Sequence, residues 1–165
     1  MQPLTSNSQH RPENKKSVLL GDEDIHVLVV SFGSKEYYQS VAVRYEVLRK
    51  PLQLSFDPQQ LAQEGTDLHV VAFDGDKAIG TLILSPHGDI VKMRQVAVLD
   101  AYQNRGVGAQ MVEVAETVSR DLEMKSMVLH ARKTAVPFYL KLNYQKEGDE
   151  FLEVGIPHFR MFKDL

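Results

Sequence analysis

The sequence predicts a single α/β (α+β) domain whose sheet is mixed, mostly antiparallel and flanked by helices. Three strand-like runs, residues 68–73, 77–84 and 90–98, follow one another across short turn sequences, the pattern of an antiparallel meander. Runs with helical spacing stand before and after the meander. Helix-like and strand-like runs then alternate to the end, so a mixed sheet fits better than a doubly wound parallel one.

The elements follow in order. Residues 25–32 are rich in Val and alternate weakly, as a strand does. Gly33-Ser34 punctuates. Over residues 35–50, Tyr38, Val41, Tyr45 and Leu48 recur at helical spacing, and Pro51 ends the helix. Asp57 before Pro58 reads as an N-cap with proline in the first turn, so a short helix runs to near Gly65. Asp74-Gly75-Asp76 is a hairpin signal between the first two meander strands. Ser85-Pro86-His87-Gly88 supplies the next turn. Val107, Met111, Val114, Val118 and Leu122 mark one face of a longer helix. Residues 126–130 form a short apolar strand. Thr134 is expected to cap a helix over residues 135–142, with Pro137 in its first turn. Asn143 suits the left-handed conformation that a C-cap often needs. Residues 144–147 and 158–162 read as a last antiparallel pair around a loop holding Gly148, Gly155 and Pro157. The order is β-α-α-β-β-β-α-β-α-β-β.

Composition narrows the function. The 165 residues suit one domain with a real core, read here as 23–165, preceded by a flexible arm over residues 1–22. There is no cysteine, which excludes disulfides, thiolate catalysis and cysteine-ligated metals, and fits the cytoplasm. A net charge of -3 gives no general attraction to nucleic acid. No segment reads as a signal peptide or a membrane span. His10, His26, His69, His87 and His130 are scattered, so no metal site is predicted.

The chemistry centres on Gln103-Asn104-Arg105-Gly106-Val107-Gly108, between a strand and a helix. The first N–H groups of a helix lack intrahelical partners, and the helix dipole favours negative charge there. A glycine loop opening a helix is therefore a candidate phosphate cradle. A P-loop would need Lys and then Ser or Thr after Gly108, where Ala109-Gln110 stand. A dinucleotide fingerprint would need glycine at Met111. By itself the loop fits an ordinary structural turn as well as a cradle.

Gln-x-x-Gly-x-Gly after a long strand resembles motif A of the GNAT (GCN5-related) N-acetyltransferases. Pro137-Phe138-Tyr139-Leu140-Lys141-Leu142-Asn143-Tyr144 is similar to that family's second signature, and the element order is that of its fold. Three further pieces resemble the ElaA-type branch: residues 44–49 (Arg-Tyr-Glu-Val-Leu-Arg), 93–98 (Met-Arg-Gln-Val-Ala-Val) and 155–158 (Gly-Ile-Pro-His). The resemblance covers residues 25–163. It departs at Asp100, where many members have proline, and at Asn104 and Asn143, where glycine is usual.

The resemblance implies acetyl-CoA as cosubstrate and no metal. It implies that Gln103, Asn104, Arg105, Gly106, Val107, Gly108 and Ala109 wrap the CoA pyrophosphate. It further implies that Val96 and Val98 pair their backbone with the pantetheine arm, and that Phe138 packs near it. Tyr139 would be the general acid for the thiolate, and the Val98 backbone N–H the oxyanion donor. Glu153 and His158 are candidates to take the amine's proton or hold substrate. Glu46 is another, against its reading as a surface partner of Arg49 or Lys50. Arg44 and Arg94 are candidates for a substrate carboxylate.

The expected activity is acetyl transfer to a primary amine, on a small molecule, by direct attack in a ternary complex. The alternatives are a protein lysine or N-terminal acetyltransferase, and a non-catalytic acyl-CoA sensor. The expected partners are the amine substrate and, through the C-terminal strands, a second copy of the chain, with neither nucleic acid nor membrane.

Overall fold

The computed structural model describes residues 24–165, so the predicted arm over 1–22 lies outside the described residues. Seven strands form one sheet: β1 (Ile25–Val30), β2 (Leu68–Asp74), β3 (Lys77–His87), β4 (Ile90–Val98), β5 (Ser126–Arg132), β6 (Gln145–Glu153) and β7 (Ile156–Asp164). Their order is β1-β2-β3-β4-β5-β7-β6. Every neighbouring pair is antiparallel except β4 and β5, which run parallel. The helices are α1 (Lys35–Arg44), α2 (Pro58–Ala62), α3 (Val107–Asp121) and α4 (Val136–Lys141). The predicted element order is the observed one. None of these helices is long and apolar enough to cross a membrane.

The sheet buries both faces. The larger core joins Val91 and Met93 of β4, Met127 and Leu129 of β5, and Met111, Val112 and Ala115 of α3. The smaller one places Val43 of α1 against Val71, Phe73, Ala78 and Ala97. α3 follows the predicted stripe through Val118, with Val107, Met111 and Val114 buried and Val118 partly so, but Leu122 falls at the C-cap and is exposed.

Local chemistry explains most ends. Ser34 caps α1 by accepting from the Tyr37 N–H at 3.1 Å. Asp57 caps α2 from the Gln59 N–H at 2.9 Å, with Pro58 in the first turn as predicted. Asn104 and Asn143 adopt φ of +60° and +70°. Asparagine tolerates that left-handed conformation, so both departures from glycine keep their turns.

Four expectations need correction. The first helix stays regular only to Arg44; Tyr45–Arg49 is a π-turn and Lys50–Leu52 a 3₁₀ turn before left-handed Gln53. β3 continues through Ser85 and Pro86 to His87, and the turn is displaced to Gly88-Asp89. The last loop is instead a continuous hairpin turning at Val154-Gly155, with Gly148 at a bulge where the β6–β7 register shifts. Thr134 does not cap α4, whose N-cap, Ala135, makes no side-chain bond.

The first helical segment is pinned by a buried ion pair. Both Arg44 amino groups donate to the Glu64 carboxylate at 2.7 Å, and the Tyr37 hydroxyl donates to it at 3.0 Å. Burial alone would raise the Glu64 pKa, but the Arg44 contacts and the Tyr37 bond hold it below the usual carboxylate value. Burial first, then Glu64, pushes the Tyr37 phenol up to about 12.

A carboxylate depressed on folding stabilises above its unfolded pKa, and that stability is lost as pH falls through its folded pKa. Glu64→Gln leaves Arg44 buried without its counter-charge. It should cost about 3–5 kcal/mol in urea unfolding at neutral pH. The deficit should shrink as pH drops below the ordinary carboxylate range.

Candidate active site

The site begins where β4 and β5 part. Their parallel ladder pairs Ile90, Val91, Lys92 and Met93 with Ser126, Met127, Val128 and Leu129, and pairs nothing beyond. A bulge causes the departure. Between Ile83↔Arg94 and Thr81↔Ala97, β4 holds one residue more than β3. Gln95, in that interval, has φ +55°. Met93, Val96 and Val98 face the larger core, while Ala97 belongs to the smaller one. Arg94 and Gln95 therefore intervene together between two residues of the same face.

The register also orients the backbone past the bulge. The Leu99 N–H donates to the Ile79 carbonyl at 2.9 Å, so that facing pair is hydrogen-bonded. Pairs alternate in an antiparallel ladder. Gly80↔Val98 is then a non-bonded pair, and the Val98 N–H points away from β3 into the gap that β5 has left. The Val98 carbonyl accepts from the Gln103 side chain at 3.1 Å. That amide also donates to Asp100 at 3.1 Å, which ties the loop to the end of β4.

α3 starts from this loop without an N-cap side chain. Its N-cap, Gly106, has φ +80° and no side chain to cap with, and no acid stands in the first turn; among the described residues no side chain caps this end. The first N–H groups of a helix lack intrahelical partners. α4 leaves β5 at the same end of the sheet. The two helices meet where a Cβ on Gly108 would lie 3.2 Å from Phe138 Cζ and 4.0 Å from Val98 Cγ2. Gly108 thus permits a close approach of α3, α4 and β4. This is the carboxyl end of the parallel strand pair, where open α/β sheets bind ligands. A cavity of about 480 Å³ continues outward from Gly106 and Ala109 between α3 and Leu142-Asn143.

Tyr139, one residue beyond Phe138, is buried in the larger core. Its ring stands edge-on to Phe138 and to Tyr144, at 4.9 and 5.7 Å. Burial pushes the phenol pKa well above its ordinary value. The phenol therefore keeps its proton at any working pH.

The opposite face carries the C-terminal candidates, Glu153 and His158. His158 Nε2 lies 3.5 Å from Glu153 Oε2, so the two C-terminal candidates come together. His158 Nδ1 donates to the Ile156 carbonyl at 2.7 Å, which orients the ring. His130 joins them with Nδ1 3.1 Å from Glu153 Oε1. Phe151 packs between both histidine rings. Sequence reasoning missed His130, because only the β5–β7–β6 register brings it to Glu153.

The N-terminal candidates divide. Arg44 is 1% exposed and committed to Glu64, which removes it from substrate binding. Arg94 pairs with Asp67 at 3.3 Å. Glu46 is exposed beside Lys50 at 3.5 Å, the surface reading. Arg49, read only as a partner for Glu46, instead donates to the Gln95 side chain at 3.3 Å.

Comparison with known proteins gives these features a family setting. The family model described as the acetyltransferase (GNAT) domain matches residues 32–165. The chain is 29% identical over 137 residues to the uncharacterized N-acetyltransferase YjcF of Bacillus subtilis (strain 168), covering 82% of this chain and 98% of that one. The crystal structure of Escherichia coli ElaA superposes with a TM-score of 0.71 at 21% identity, covering 84% of this chain and 99% of that one. A GNAT family acetyltransferase from Elizabethkingia anophelis, with acetyl-CoA bound, superposes with a TM-score of 0.66 at 16% identity, covering 86% and 98%. At these identities the two structures share the fold.

Gly108→Val puts a branched side chain into the Phe138 contact. Overpacking of this kind costs roughly 1–3 kcal/mol. The variant should stay folded by circular dichroism and melt at lower temperature than the wild type.

Proposed function

The chain belongs to the GNAT acetyltransferase family, and from that premise we propose that it moves an acetyl group from acetyl-CoA to a primary amine on a small molecule. The observation that carries this reading is the uncapped start of α3 set beside the gap between β4 and β5. We assign the activity to residues 23–165 and place it in the cytoplasm, in keeping with a chain that has no cysteine.

The residues present fit the cosubstrate. The backbone of Gln103, Asn104, Arg105, Gly106, Val107, Gly108 and Ala109 would hold its pyrophosphate, since free helix donors and the dipole favour phosphate. The absence of a Cβ on Gly108 leaves the close approach to Phe138 open. The exposed backbone edges of Val96 and Val98 would take the pantetheine arm as an added strand. When bound, acetyl-CoA supplies an activated acetyl thioester, and no metal is needed for the transfer.

Direct transfer in a ternary complex asks three things of the protein. The amine must lose a proton to be nucleophilic; Glu153 and His158, 3.5 Å apart, are assigned that task. His130 steadies Glu153 from the other side. The Val98 N–H, turned into the gap, donates to the oxygen on which charge develops. The Tyr139 hydroxyl donates to the departing sulfur. Its raised pKa makes it a hydrogen-bond donor to the sulfur more than a full proton source. A thiol of pKa about 8.5 leaves as thiolate with only that help.

Thiol release from acetyl-CoA across a panel of primary amines tests the activity. Glu153→Gln and His158→Ala should each lower kcat by about a hundredfold, the usual scale for losing a general base. Tyr139→Phe should lower kcat by up to about tenfold, the scale of one neutral hydrogen bond, and leave the KM for acetyl-CoA nearly constant. Undiminished kcat in all three variants would remove the acid–base assignments. Acetyl-CoA binding without thiol release on any amine or basic peptide would favour a sensor.

A further inference from the structure

The first helical segment and the bulge carry three arginines, and two have carboxylate partners: Arg44 with Glu64 and Arg94 with Asp67. Arg49 has none among the described residues. Its guanidinium lies 4.8 Å over the Phe56 ring, and Nη2 donates to Gln95 Oε1 at 3.3 Å. No described residue accepts from Nε or Nη1. The group is half-buried, so its charge is only partly hydrated. Burial and the neighbouring Arg44 charge both lower its pKa, and the opposite charge of a bound anion would act against both.

The place matters as much as the missing partner. Gln95 lies in the bulge that parts β4 from β5. The next strand across the gap carries His130, linked through Glu153 to His158. The mouth of the site thus has a cation held on the β4 side and a carboxylate with two imidazoles on the β5–β7 side. We propose that the acceptor amine also carries a carboxylate, which Arg49 binds while the amine faces Glu153 and His158. The proposal rests on the acetyltransferase reading and narrows its acceptor to amino-acid-like molecules. Gln95 takes one of the two Nη2 protons, and the other still forks with Nε or with Nη1, a planar pair of donors that suits the two oxygens of a carboxylate. The Gln95 amide and the Phe56 face fix its orientation.

Matched pairs of acceptors test this: lysine against cadaverine, phenylalanine against phenethylamine, and the phosphonate analogue of each amino acid. Acetyl-CoA binding is first recorded by calorimetry, and transfer is then followed by thiol release. The wild-type kcat/KM should favour the carboxylate member of at least one pair by about ten- to a hundredfold, the scale of a hydrogen-bonded charge pair. Arg49→Met should collapse that ratio toward one, mainly through the KM of the acceptor, and Arg49→Lys should keep part of it. Circular dichroism confirms that both variants fold.

A ratio near one in the wild type, or a ratio that survives Arg49→Met, overturns the proposal. Preference for the phosphonates overturns the carboxylate. A matching rise in the KM for acetyl-CoA moves Arg49 to the cosubstrate. If acetyl-CoA binds but no carboxylated amine reacts, the anion site fails and the cofactor reading stands. If acetyl-CoA does not bind, the acetyltransferase reading fails first.

Discussion

The structure depends on a ladder that stops. β4 and β5 lie inside the sheet, where backbone donors and acceptors ordinarily stay paired. Here the pairing ends at Met93 and Leu129 because β4 takes in an extra residue and bends away. The result is a gap where β4 has no ladder partner in β5, with Val96 and Val98 along one wall. α3 springs from the end of β4 and α4 from the end of β5, so both helix starts converge on the gap. Gly108 and Phe138 mark that meeting. On the other face, the same bend presents Gln95 to Arg49.

Two cores hold this opening with unequal means. The larger is an apolar layer that packs α3 and α4 on the sheet. The smaller is thin, and the segment above it is fixed instead by the Arg44–Glu64 pair with Tyr37. A buried ion pair contributes little net stability over an apolar substitute, but removing one partner is costly. Its value here is positional. It sets α1 and the π-turn after it, and that turn ends on Arg49. A fully buried arginine and a half-buried one five residues apart thus divide two roles that look alike in sequence.

The legible parts were those fixed by local chemistry. The meander showed through Asp74-Gly75-Asp76, the α2 start through Asp57-Pro58, and the left-handed turn after α4 through Asn143. Alternation and helical spacing gave the element order, and the glycine loop pointed to the start of α3. What stayed hidden was decided by contacts distant in sequence. Gly148 looked like a loop residue because only the partner strand β7 shows it to be a bulge. Pro86 looked like a turn because its place in β3 depends on pairing with Val91. His130 looked isolated until β5, β7 and β6 were side by side. Arg44 looked available because Glu64, twenty residues away, carries no local mark as its partner.

Amide hydrogen exchange with and without acetyl-CoA tests the central claim, that the gap and the start of α3 form one cosubstrate site. Added acetyl-CoA should slow exchange at Val98 and at Val107, Gly108 and Ala109 together, while β1 and β2 are unaffected. Saturable binding that protects other amides and leaves these four unchanged would contradict the account.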